Sequence, residues 1–510
     1  MASFQGLPNE LLESILLEAD IQSIARCRQV SKTLGEIITN SKPIQYKIEL
    51  AIDGFEDGPA DFPWGTSERL DALRSRRLAW AKMQPMALRV INARTPKWQM
   101  ASRNHITWID DAAKFHVLQI PSVFRGIPER EWVIEPGVVN MVAADDAAVD
   151  PDEDLLVVLE KRGIRNWVLS LRSLSTGEYH PEAERSEIPV NDMYGSRTNG
   201  NGVRVFRDYM GIHFQCETTG KLEIYNWRTG KLILNLAMKP PFGYVFLSEE
   251  YLLIPHTDAE GGILSVFQID DFGRAEERHI ADLIPEIQLR LPKGKNPGSF
   301  GLELPQPRQW HKVKVPFHSG PDYLVAITAY YHAAALEATT VIIPVSTIRH
   351  LIAGERRLSQ KPLEWFQWGT SGSRLIHTDP VLIYPQVNGM TAIIQQSHLD
   401  TKVTHLYNFG TLGYWKHLRD AAALRAPPEV QAHGVSWYHG SANFDDSPIM
   451  TLLLARRVRI DHWFHQCRPV DREDSRWVKD VLLGDDCIIV EFEVDPPHSH
   501  GHHQYQIFSF

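Results

Sequence analysis

Cysteine is scarce in this chain. Cys27, Cys216, Cys467 and Cys487 are the only four among 510 residues, and no two have a CxxC-type spacing. That argues against a zinc site or a disulfide framework and fits a reducing compartment, the cytosol or the nucleus. Long apolar runs are missing too: no stretch of eighteen apolar residues occurs, and the first basic residue is Arg26, so no positive segment leads into an apolar one. Neither a membrane span nor a secretory signal is expected. Basic excess is absent, with a formal net charge of −10, so wholesale binding to nucleic acid or an anionic membrane is not expected. No Walker loop, G-x-S-x-G elbow, HExxH or strand-to-helix GxGxxG is found. This lowers the expectation of an enzyme without excluding one, because active sites can be assembled from distant loops, and no cofactor is implied.

What is present is ordinary globular material, 43% hydrophobic and 23% charged, enough for one large core or two to three domains. The most informative stretch lies in the first fifty residues. Leu7-Pro8-Asn9-Glu10-Leu11-Leu12 places proline where a helix can begin and acid in its first turn. Leu7, Leu11 and Ile15 form one stripe of this helix, and Leu12, Leu16 and Ala19 the next. Asp20 offers an N-cap for a second helix carrying Ile21 and Ile24, and Val30, Leu34, Ile37 and Ile38 give the period of a third, ending near Asn40 with Pro43 beyond. Three short helices cannot bury a sufficient core alone. One stripe should therefore pack inward while the other docks on a second chain.

Leu7-Pro8-x-Glu10-Leu11-Leu12-x-x-Ile15-Leu16, followed by Val30-Ser31-Lys32-x-Leu34-x-x-Ile37-Ile38, resembles the F-box motif. The continuation Tyr46-Lys47-Ile48-Glu49-Leu50 is similar to F-box proteins of fungi, of the basidiomycete type. The resemblance implies a substrate receptor that plugs into the Skp-type adaptor of a cullin-RING (SCF-type) ubiquitin ligase. Leu7, Pro8, Glu10, Leu11, Ile15, Leu16, Val30 and Leu34 are then expected at the adaptor interface. Ser31 stands where cysteine is frequent in the family, and Leu34 where tryptophan is. An N-terminal helical cap packed wholly on its own chain is the alternative.

Asp53-Gly54-Phe55-Glu56-Asp57-Gly58-Pro59 marks a turn-rich link. A helix from Ser67 to Met83 follows, with acids early and Arg74, Arg76 and Arg77 late. It could be a rigid spacer or a helix packed on the next domain. From about residue 90 the texture becomes short alternating runs broken by Gly, Pro, Asn and Asp. Trp167 to Gly177, Leu222 to Gly230 and Leu264 to Gly273 share an alternating strand ending in a glycine turn, and Val403 to Gly410 is a fourth copy lying about three periods on. A period near 45 residues is the signature of propeller blades. The expected class is α+β multidomain: F-box at 1–50, linker and helix at 51–90, and at 91–510 a mainly-β domain, most simply a six- or seven-bladed β-propeller that captures a protein target. A β-sandwich pair or an irregular β-rich domain is the competing architecture. The last strand, Tyr505 to Phe510, could pair into the first blade and close the ring.

Residues 279–318 carry six prolines and look like a long surface excursion, and Trp415 to Leu424 reads as a short helix. Asp145, Asp146, Asp150, Asp152, Glu153 and Asp154 have no basic neighbour in sequence and read as a solvated acidic loop or a patch for a basic partner; position six of an EF-hand started at Asp150 would be Leu155, not glycine. His498, His500, His502 and His503 could hold a metal loosely but read better as a solvated turn, so no metal site is assigned. Trp365-Phe-Gln-Trp368 and Trp437-Tyr-His-Gly440 are the places where an exposed recognition rim is expected. Besides the ligase receptor, two other functions fit: a propeller enzyme with a helical cap, and an F-box scaffold that delivers no substrate.

Overall fold

A computed structural model describes residues 7–94, 100–163, 166–191, 202–215, 218–269, 276–292, 297–304, 314–332, 336–354, 361–378, 385–398, 401–410, 436–444, 447–460, 477–494 and 502–510. The N-terminal helices are α1 (Asn9–Glu18), α2 (Ile21–Val30), α3 (Lys32–Asn40) and α4 (Lys42–Asp53). Pro8 is the N-cap of α1 rather than its first residue. Its carbonyl accepts from the N–H groups of Leu11 and Leu12. Asp20 caps α2, its carboxylate accepting from Ser23 N at 2.8 Å. Ser31 caps α3 through Leu34 N at 3.1 Å. Val30 therefore closes α2 and does not belong to α3. Pro43, which looks like a stop, sits in the first turn of α4, where its missing N–H costs nothing. Leu12, Leu16, Ile24, Leu34, Ile38 and Ile44 form the core of this bundle.

Helix α5 (Thr66–Lys82) follows a short strand, Phe55–Asp57. Beyond it, seven sheets of four or five strands surround a common axis. They span residues 100–134, 144–191, 203–238, 245–290, 299–378, 386–459 and 477–509, and are blades 1 to 7 below. Within each blade successive strands are antiparallel neighbours, with two departures: Arg278–His279 adds parallel to Lys231–Met238 at the edge of blade 3, and in blade 6 the hairpin strands exchange order, with Ser447–Arg459 inside Ser436–Phe444. First strands of neighbouring blades touch, as at Ala144–Asp150 with Val203–Phe206 and Gln386–Asn388 with Trp477–Leu483. The domain is a seven-bladed β-propeller. Its ring closes in blade 7, where Ala87–Arg94 pairs antiparallel with His502–Ser509. The terminal strand thus lies in the last blade, and the strand that leads the domain completes it.

All four copies of the sequence repeat fall on the third strand of a blade: Asn166–Ser173, Gly220–Asn226, Gly261–Gln268 and Thr401–Asn408. Gly177 and Gly230 end their copies at φ +77° and +65°, a left-handed turn that side chains resist. The gap before the fourth copy holds two blade steps, not three. Blade 5 is enlarged by α6 (Val345–Gly354) and α7 (Trp365–Gly372) between its third and fourth strands, and no glycine turn marks it.

Other expectations need correction. The stretch 279–318 is not one excursion, since it carries the last strand of blade 4, Ile287–Arg290, and the first of blade 5, Ser299–Glu303. The acidic stretch is no solvated loop. Asp146 and Asp150 are buried on the first strand of blade 2, Arg103 pairs with Asp150 at 3.1 Å and with Asp152, and Arg228 reaches Glu153 at 2.6 Å. The basic partners lie far off in sequence. Trp365 and Trp368 are buried in the core between blades 4 and 5, leaving Phe366 and Gln367 exposed. The helix expected at 415–424 lies outside the described residues, as do His498 and His500, while His502 and His503 belong to the closing strand. Residues 437–440 lie on the strand Ser436–Phe444. No helix among the described residues is long and apolar enough to cross a membrane.

Candidate adaptor surface and its joint to the propeller

Helix α1 divides its apolar residues as an amphipathic helix with two partners would. Leu12 and Leu16 face the bundle core at 2% exposure each, whereas Leu11 and Ile15, four residues apart on the same face, are 52% and 46% exposed. Pro8 and Glu10 are exposed beside them and Leu7 is half-buried. Val30, at the end of α2, is 72% exposed. Leu34 at 5% and Leu16 are interior residues that hold the helices together. The eight residues expected at an interface thus separate into an outward set of Pro8, Glu10, Leu11, Ile15 and Val30, the half-buried Leu7, and an inward pair that supports it.

The bundle does not hang on a free linker. Tyr46 and Leu50 of α4 and Leu70 and Leu73 of α5 share one core with Phe124 of blade 1 and Phe317, which lies between the first and second strands of blade 5. Phe124 and Phe317 stack with ring centres 4.6 Å apart. The strand Phe55–Asp57 pairs antiparallel with Phe317–Ser319. Gly58 N donates to Pro316 O at 3.0 Å, and a Cβ on Gly58 would lie 2.1 Å from Val315 O, so only glycine fits. Helix α5 is therefore packed on the domain and not a spacer. Trp80 stacks on Phe510 at 4.2 Å, and Ala79 and Met83 join the blade 7 core.

A buried charge cluster lies at the centre of this joint. Asp486, in the turn between the first two strands of blade 7, accepts from Arg125 Nε at 2.7 Å and Ser122 Oγ at 2.8 Å, and Arg76 of α5 lies 3.5 Å away. Burial alone would push the Asp486 carboxyl up, but the guanidinium groups of Arg125 and Arg76 outweigh it and hold its pKa below the usual range. Both arginines also lie over the rings of Phe55 and Phe124, between 4.9 and 5.4 Å from the centroids. On the far side of α5, Arg77 reaches Asp53 at 2.8 Å and Glu49 at 2.5 Å, fastening α4 to α5. The pairings of Asp486 could not be anticipated from sequence, because Ser122, Arg125 and Arg76 are brought to it only by ring closure.

The contacts on the propeller come from turns between first and second strands, as at Asp486 and Phe317, and between third and fourth, as at Phe124. In an antiparallel blade these turns share one face. The opposite face carries the turns between second and third strands and the connections between blades, and the joint leaves it clear. No group of three or more metal-binding side chains occurs among the described residues.

Residues 4–46 match the F-box domain family, so the N-terminal helices are an F-box. No curated protein matches the chain. Solved structures that it resembles include the β-propeller domain of the Trilobed protease from Pyrococcus furiosus, at 5% identity over 81% of this chain and 93% of that one with a TM-score of 0.35. TolB from Acinetobacter baumannii matches at 11% identity, 68% and 67% coverage and a TM-score of 0.32, and the Dos1 propeller at 8%, 81% and 95% coverage and 0.32. At these scores the likenesses carry no argument, and the blade count stands on the strand pairing alone.

Proposed function

We propose that this chain is a non-catalytic substrate receptor of an SCF-type cullin-RING ubiquitin ligase, acting in the cytoplasm, the nucleus or both. The observation that carries this reading is the exposed Leu11 and Ile15 pair on an F-box helix whose other apolar stripe is buried. Such a pair, bordered by Pro8, Glu10 and Val30, suits a Skp-type adaptor, through which a cullin is reached. The propeller then holds a protein target on the face that the joint leaves clear. Ubiquitin transfer is performed by other subunits, and this chain contributes proximity, raising the effective concentration of the target at the ligase. The buried joint supports the same reading, since a receptor that fixes its target relative to the ligase needs a stiff connection.

The test is binding of the full chain to a purified Skp-type adaptor, compared with Leu11→Asp and Ile15→Asp variants shown by circular dichroism to be folded. Tight binding that both variants lose is the expected result. Wild-type chain that fails to bind the adaptor would sink the proposal.

A further inference from the structure

Between blades 1 and 2, on the face that carries the F-box, lies a cavity of about 370 Å³, room for roughly a dozen waters at about 30 Å³ each. Its blade 1 wall is built by Trp132, Arg130, Gln119 and the Ile127-Pro128 turn, and its blade 2 wall by Pro151, Asp152, Asp154 and Leu174, with Lys314 at the rim. Trp132 is fixed in place, its Nε1 donating to Leu174 O at 2.8 Å.

The hydrogen-bonding capacity of the two walls differs. On blade 2 the acceptors are occupied: Asp154 accepts from Ser173 Oγ at 2.6 Å, Ser175 N at 2.7 Å and Ser175 Oγ at 2.9 Å, and Asp152 is paired with Arg103. On blade 1 Trp132 Nε1 and Gln119 Nε2 are occupied, the latter by Pro128 O at 2.8 Å, and it is Arg130 that offers open donors. The Arg130 guanidinium rests 5.3 Å from the Trp132 ring centre and, among the described residues, meets no carboxylate at ion-pair distance. Its sequence neighbours Glu129 and Glu131 are engaged with Arg89 at 3.7 and 3.5 Å, and Glu131 also with His116 at 3.3 Å. Lys314 pairs with Asp61 at 2.6 Å, and both are mostly exposed. Open donors above an apolar floor call for a ligand that brings acceptors. The two carboxylates opposite set a limit, because they repel a second negative charge.

We propose that this cavity is a binding site for a single carboxylate carried on an apolar body, the carboxylate forking onto Arg130 and the body lying against Trp132, Pro128 and Leu174. The carboxylate could belong to a free small acid or to an acidic side chain of a bound peptide, and the experiment separates the two. The site is independent of adaptor binding.

Full-length protein is titrated calorimetrically with 2-naphthoate, with 2-naphthylmethylamine and 2-naphthyl phosphate as cationic and dianionic counterparts, and with acetylated, amidated hexapeptide pools holding Glu or Lys fixed. Arg130→Gln is compared with the surface control Lys231→Gln. We expect 2-naphthoate to bind with a Kd of about a millimolar, at least tenfold better than either counterpart, and to lose at least tenfold in Arg130→Gln while Lys231→Gln is unchanged. Arg130-dependent binding of the Glu pool would assign the carboxylate to a peptide, and binding of naphthoate alone to a small acid. Absence of naphthoate binding, preference for the amine or the phosphate, or binding indifferent to Arg130 would overturn the proposal. Arg130 is exposed, so an unchanged melting temperature of the ligand-free variant serves as the folding control.

Discussion

Arg125 and Asp486 stand 361 positions apart in the chain and meet at 2.7 Å, each only 1% exposed. Removing one member of such a pair leaves a buried charge without compensation, which costs about 3–5 kcal/mol. Asp486→Asn should therefore lower the chemical-denaturation midpoint markedly, with α5 loosened from blade 7. A melting curve that overlays the wild type would show that the cluster is not the fastening it looks to be.

The same carboxylate predicts an acid response. Its folded pKa is depressed, so its stabilisation is present above the unfolded value of about 3.9 and is lost as pH falls through the folded value. Stability should decline below about pH 4 by this route, and Asp486→Asn should flatten that part of the profile. An unaltered acid limb in the variant would contradict it.

Glu303, on the first strand of blade 5, has the opposite sign. Burial, reinforced by Asp480 and opposed by Arg204, pushes its pKa up to about 7. Between its ordinary value and 7 the folded state holds a proton that the unfolded chain has released, so stability falls as pH rises through this window. Glu303→Gln should remove that slope, as read from denaturation midpoints at pH 5 and pH 8. An identical slope in the variant would assign it to other groups.

Two substitutions separate surface from support in the F-box. Leu11→Asp should abolish adaptor binding at a stability change within about 0.5 kcal/mol, as for other exposed sites. Leu16→Ala should cost about 2–5 kcal/mol by opening a cavity in the bundle core. If the two behaved alike, the division of α1 into outward and inward stripes would be wrong.

Ser31 supplies a sharper test of local structure. Its hydroxyl accepts from Leu34 N, and Ser31→Ala should cost about 1 kcal/mol. Ser31→Cys should cost a similar amount despite introducing the residue frequent at this position in the family, because a thiol is a poor acceptor. A stabilised cysteine variant would show that packing, not capping, governs the site.

These residues also show what could be seen in advance. The F-box helices were legible because caps and stripes are local: Asp20 and the Leu12/Leu16 stripe need only their neighbours. Helix α4 was hidden by Pro43, whose meaning depends on whether it falls in a first turn or after a last one. Third strands were legible in four blades through their alternation, and Gly177 and Gly230 fixed their ends. Blade 5 was not, because its third strand, Leu336–Pro344, runs directly into α6. The acidic run at 145–154 misled for the converse reason: Arg103 and Arg228, which neutralise it, lie outside any sequence window around it. Arg130 could not be singled out, since its significance lies in having no carboxylate partner among the described residues.

Ring closure has a consequence in time. The strand Ala87–Arg94 is made long before its partner His502–Ser509, with Asn92 and Gln504 separated by 412 positions. Until then Arg76 and Trp80 have neither Asp486 nor Phe510 to rest on. A nascent chain thus displays its F-box helices well before the propeller can fasten to them. The long loop to be closed makes this pairing slow relative to local folding. Helix α5 can therefore seat on blade 7 only after the strands that carry Asp486 and Phe510 have been made.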